Sequence, residues 1–305
     1  MRRHVLDSPI SYYAIFLSVR YLPLRLCRWL GKVVTLMVYV FSKKDRKGQA
    51  LNLSIVLNKP WKDSEVRKKT RQVFINYGQY LVDFFLMPQL PPEKIKTFFA
   101  SVKGENILKD AMANGKGAIL LSAHVGNWEL GGNLLRALNY PLAVVVMSHN
   151  TETTNILVNR LRKNKDIKVI EVDQSPFSGV EIFRYLRNNG IVTMNGDRDY
   201  FGTGRRITFF GQKVLFPVGP VALAMNSGAA LIPAFVFKQA DGKYFGIMEE
   251  ALPLISEGDR DAVIEKNLSM TARIFEKYIR RYPDQWYCPD PISGPEKRLG
   301  SDPSF

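Results

Sequence analysis

Histidine and cysteine are scarce in this 305-residue chain, at three and two residues. Cys27 and Cys288 are too few and too far apart for a disulfide framework or a metal cluster, which leaves two packed thiols. His4 and His149 show no metal-ligand spacing and no H-E-x-x-H pair occurs, so no metal site is expected. Long apolar runs are missing too. The longest, WLGKVVTLMVYVF at 29–41, is broken by Lys32 and falls short of the ~20 residues that cross a bilayer. Pro9 and Pro23 interrupt the early hydrophobic stretch and no small-residue cleavage site follows, so no cleavable signal peptide is expected and retention on the cytoplasmic side is the simpler reading. Acidic residues are outnumbered, 28 against 43 Lys and Arg. The net charge of +15 points to an anionic partner: nucleic acid, an acidic protein or a membrane surface.

What is present is a large apolar fraction, 46%, enough to bury a substantial core and to exclude general disorder. The basic excess is concentrated at the start. Residues 1–47 hold ten Lys or Arg and two Asp, interleaved with Tyr, Phe, Trp and Leu, which fits a segment lying on an anionic lipid surface rather than crossing it. We therefore divide the chain into a basic amphipathic segment (1–47), one large domain (48–290) and a flexible tail (291–305). No zinc-finger, RNA-recognition or basic-region signature accompanies the charge, so no nucleic-acid partner is expected. A noncatalytic membrane-bound scaffold remains compatible with these features.

The spacing of Val66, Val73, Phe74, Tyr77, Leu81 and Phe85 predicts a helix over 63–86, capped by Asp63 or Ser64 and ended by the prolines of MPQLPP. Strand then alternates with helix: GAILLSA (117–123), a helix over 127–138, PLAVVVM (141–147), a helix over 151–163, IKVIEV (167–172), a helix over 179–189 and IVTMN (191–195). A hairpin turning near Gly211, a helix over 217–228, two further strands and a closing helix over 260–281 complete the chain. The alternation predicts an α/β fold with a mostly parallel central sheet flanked by helices, behind an N-terminal helical segment at the membrane interface.

The segment SAHVGNWELG (122–131) places His124 where the first of these strands ends, the edge at which α/β sheets gather ligands. Glu129 follows five residues later, and Gly126 permits a tight passage between them. A neutral histidine takes a proton near pH 7, and a carboxylate behind it fixes the tautomer. On spacing alone, a reactive pair and a satisfied structural histidine both stand.

Three blocks in order, HVGNWELG, then NGDRDYFGTGRRITFFGQKVLFPVGPVALA, then RRYPDQWY, resemble the bacterial lipid A biosynthesis acyltransferases of the lysophospholipid acyltransferase superfamily. The resemblance runs from about Arg46 to Trp286. It implies that His124 is the general base, that Glu129 orients it, and that the nucleophile is a hydroxyl of the lipid acceptor. It also implies a thioester donor on acyl carrier protein or coenzyme A, no cofactor, and a peripheral position on the cytoplasmic face of the bacterial inner membrane. Asn127, Arg160, Arg162, Asp197, Arg198, Asp199 and Gly219 are expected to bind substrate, with one of the two aspartates functional. Val218 stands where the glycerolipid branch carries a glutamate, which argues against a glycerol-phosphate acceptor. The apolar residues at 209–210 and 214–216 are expected in the core rather than on lipid.

Overall fold

A computed structural model describes residues 9–149 and 151–292. The continuous apolar character of GAILL has a structural cause. In β2 (Ala118–Ser122), Ile119 and Leu121 point into one core layer while Ala118 and Leu120 point into another. A strand covered on both faces needs no polar alternation.

β2 belongs to a seven-stranded sheet with β1 (Phe99–Lys103), β3 (Leu142–Val146), β4 (Lys168–Glu171), β5 (Ile191–Asn195), β8 (Ala230–Lys238) and β9 (Tyr244–Met248), in the order β1-β9-β8-β2-β5-β3-β4. β8, β2, β5, β3 and β4 are parallel. β9 runs antiparallel to β8, and β1 follows β9. One face is covered by α9 (Ser178–Arg187), α10 (Gly219–Ser227) and α11 (Arg260–Arg281), and the other by α6 (Glu105–Ala113) and α7 (Trp128–Ala137). α5 (Pro92–Thr97) packs on α7, and α8 (Glu152–Lys163) follows β3. The hairpin β6 (Arg205–Phe209) and β7 (Gln212–Phe216) pairs only with itself among the described residues, and turns where Phe210 and Gly211 both adopt positive φ. Phe209, Phe210 and Phe216 are buried in the core, as expected.

The N-terminal region forms α1 (Pro9–Tyr21), α2 (Leu24–Phe41) and α3 (Lys43–Leu57), packed on α4 (Ser64–Leu86). Asp63 caps α4 by accepting the Glu65 N–H at 2.8 Å. α2 crosses α4 closely at Gly31 and Gly78, where a Cβ on Gly78 would lie 2.5 Å from the Gly31 carbonyl oxygen. α3 runs unbroken through Lys47, so the boundary expected there falls inside a helix. The expected tail begins at 291, yet Ile292 still donates its N–H to Asn52 Oδ1 at 2.9 Å; residues 293–305 lie outside the described region. No described helix is long and apolar enough to cross a membrane.

A buried ion cluster fastens the N-terminal helices to the sheet. The Asp83 carboxylate on α4, fully buried, accepts from Arg28 on α2 at 3.0 Å and from the Tyr244 hydroxyl, with Lys238 Nζ 3.5 Å away. Tyr244 in turn lies 3.4 Å from Asn127 Nδ2, at the start of α7.

Candidate active site

The register of two neighbouring strands builds the site. Ser122 ends β2 opposite Asn195 at the end of β5, and Gly196 donates its N–H to the Ser122 carbonyl at 2.8 Å. Two residues beyond each strand end stand His124 and Asp197, with Nδ1 and Oδ1 2.6 Å apart. The loop between His124 and α7 is held tightly. Gly126 has φ of +71°, and a Cβ there would lie 2.0 Å from the Val236 carbonyl oxygen. Its N–H donates to Gln285, Asn127 donates its N–H to Val236, and Val125 bridges to Trp286. The block PDQW thus clamps the loop that carries the histidine.

Burial pushes the His124 imidazole below its ordinary 6.5, and Arg198 pushes in the same direction against the pull of Asp197. The ring is therefore neutral at pH 7. Asp197 is fully buried, which alone would raise its carboxyl, but the His124 charge that forms at low pH, the hydrogen bond with His124 and the Arg198 charge prevail and hold it at about 2. An ionised carboxylate beside a neutral ring makes Nδ1 the protonated nitrogen and leaves the lone pair on Nε2. Trp128 packs edge-on to the ring at 5.0 Å, and Tyr200 lies beyond at 6.4 Å. His124 lines a cavity of about 880 Å³ walled mainly by apolar side chains, among them Leu120, Leu142, Val144, Ala234 and Met248.

The remaining expected residues separate. Glu129 does not reach His124: it is the salt-bridge partner of Arg162 on α8, and the two side chains are nearly buried together beside the cavity. The carboxylate on the histidine is Asp197, which corrects the expected pairing; Glu129, in the first turn of α7, is taken up by Arg162 on α8 instead. Arg162 also contacts Asn159, whereas Arg160 is exposed on the opposite side of α8. Arg198 donates to the Tyr287 carbonyl, and its Nε lies 3.9 Å from Asp197 Oδ2; neither atom has a hydrogen-bond partner among the described residues. Asp199 shapes the following loop by accepting the N–H groups of Phe201 and Gly204. Asn127 is buried as the cap of α7, accepting from Leu130, and does not line the large cavity. Gly219 opens α10 on the cavity wall with open space where a Cβ would stand. No group of three His, Cys, Asp or Glu comes together as metal ligands among the described residues.

A sequence profile of the bacterial lipid A biosynthesis acyltransferases matches residues 5–288. The chain belongs to this acyltransferase family. It is similar to the phosphatidylinositol mannoside acyltransferase of Mycobacterium tuberculosis, 30% identical over 230 residues that cover 71% of this chain and 67% of the relative. The enzyme of the same name from Mycolicibacterium smegmatis is 26% identical over 79% of this chain and 77% of its own. The lipid A biosynthesis palmitoleoyltransferase of Escherichia coli is 25% identical over 87% and 84%. For an acyltransferase the cavity has apt chemistry, with the Asp197-paired His124 on the wall of a mainly apolar enclosure. Trp128 and Tyr200 were missed by sequence reasoning, although Trp128 stands in the same motif as the histidine.

Proposed function

We propose that this acyltransferase moves a fatty acyl group from a thioester of acyl carrier protein or coenzyme A to a hydroxyl of a membrane glycolipid, with His124 as base and Asp197 as the carboxylate that orients it. The observation that carries this reading is the 2.6 Å Nδ1–Asp197 contact, which leaves the Nε2 lone pair as the available base. Both kinds of relative are named for transfer to glycolipids, a lipid A precursor or a phosphatidylinositol mannoside, and we assign an acceptor of that class.

In the reaction, Nε2 takes the acceptor hydroxyl proton as the oxygen attacks the thioester carbonyl. The tetrahedral oxyanion collapses with cleavage of the carbon–sulfur bond. The imidazolium then returns its proton to the departing thiolate, giving an ester and a free thiol. Asp197 stabilises the imidazolium without itself being protonated. Arg198 brings positive charge to this end of the cavity, where charge builds on the carbonyl oxygen. The acyl chain occupies the apolar remainder. The donor and acceptor supply the reacting groups, so no covalent acyl-enzyme is needed.

We further assign the protein to an anionic membrane surface on the cytoplasmic face of the bacterial inner membrane. Ile10, Tyr21, Trp29, Met37 and Phe41 on α1 and α2 are all more than half exposed, beside Arg20, Arg25 and Lys32. The cavity reaches Tyr12 on α1, so a lipid lying in that surface has a short path to His124. The same basic surplus attracts an acidic carrier protein.

The test is transfer of labelled acyl groups from acyl carrier protein or coenzyme A thioesters to an extracted glycolipid fraction by the purified protein. Wild type is expected to label the glycolipid and His124→Ala to lose at least about a hundredfold in rate. Undiminished transfer by His124→Ala overturns the assignment.

A further inference from the structure

The sheet-facing stripe of α7 contains the wrong residues for an ordinary packed helix. Positions 128, 131, 132 and 135 follow the i, i+3, i+4, i+7 spacing of a buried face. Trp128 stands at the histidine end and Leu135 packs into the core layer with Leu120 and Leu142. Between them, where bulky apolar residues would fill the layer, are Gly131 and Gly132. Glycine is the poorest helix former after proline, so two in succession weaken the helix. Both line the cavity. A Cβ on Gly131 would stand 3.2 Å from Val236 Cγ2 on β8, and one on Gly132 would stand 3.4 Å from Leu142 Cδ2 on β3. Any side chain added at either position therefore meets the floor from the roof, on opposite flanks of the helix.

We propose that Gly131 and Gly132 set the longest acyl chain the enzyme accepts, by keeping the space between α7 and the sheet continuous from His124 to Leu142. This rests on the acyl-transfer reading above. A methyl group at either position bridges helix to sheet and shortens the passage from within. Chains that end before the glycine pair are unaffected, and longer ones lose their room. The effect is selective by length, unlike a general loss of fold.

The experiment is displacement of fluorescent cis-parinaric acid from the full chain by octanoate, laurate and palmitate, for wild type, Gly131→Ala, Gly132→Ala and the control Gly179→Ala. Gly179 lies on α9 with nothing within 4 Å of its Cβ position. The expected result is that palmitate binding weakens about tenfold or more relative to octanoate in the 131 and 132 variants only. Their melting temperatures should hold or rise, because alanine favours the helix. Equal weakening of all three acids, or no change, overturns the chain-length role. Failure of wild type to bind any of the acids overturns the acyl-binding reading beneath it as well.

Discussion

His124 must be neutral to act as a base, and its burial holds its pKa below 6.5. The expected rate profile, measured as kcat against pH, has one acid limb with its midpoint below pH 6.5 and a plateau at higher pH. An inflection above pH 7 contradicts this. Stability moves in the same direction. A histidine whose folded pKa is depressed binds its proton more readily when unfolded, so stability falls as pH drops through 6.5 towards the folded value. Asp197 adds a second loss, present above the ordinary carboxyl value of 3.8 and lost as pH falls towards about 2. Asp197→Asn is expected to lower kcat by about a hundredfold or more. Glu129→Gln is expected to keep the histidine's acid limb while lowering the melting temperature, because it leaves Arg162 buried without its carboxylate. The histidine was legible in the sequence because it follows a recognisable strand. Its partner was not. Asp197 is 73 residues away, and only the pairing of β2 with β5 brings it near, whereas Glu129 is close in sequence but pairs with Arg162 from the first turn of α7.

Elements position these residues through a few close contacts. Gly126→Ala would force a Cβ into the Val236 carbonyl and should displace the histidine loop, reducing kcat far more than it reduces the helical circular dichroism signal. Asp83 performs a comparable task for whole helices. Removing its carboxylate strands Arg28 and Lys238 in a buried setting, and Asp83→Ala is expected to cost about 3–5 kcal/mol in chemical denaturation. A loss within experimental error would show that the cluster is not a fastening. Strands β2 to β5 and the helices between them were legible because short apolar runs alternate with amphipathic ones. β1, paired through β9, was missed, since its two partly buried residues, Phe99 and Val102, stand three apart and break the alternation that marks a strand. The helices of residues 9–57 were read only as one basic helical segment over 1–47 at the membrane interface, without the separate bounds of α1, α2 and α3.

At the scale of the molecule, charge and apolar surface coincide. Trp29→Ser with Phe41→Ser should weaken sedimentation with anionic vesicles while leaving the melting temperature nearly unchanged, since both side chains are already exposed. Binding of the unaltered protein should decline as salt rises. Vesicle binding indifferent to both changes would contradict the membrane assignment. Acyl transfer depends on one ring. Heteronuclear NMR of the His124 ring nitrogens across a pH titration reads its protonation state and tautomer. The expected result is a neutral ring at pH 7 with the proton on Nδ1, the lone pair on Nε2 and a pKa below 6.5. A ring that is charged at pH 7, or neutral with its proton on Nε2, would contradict it.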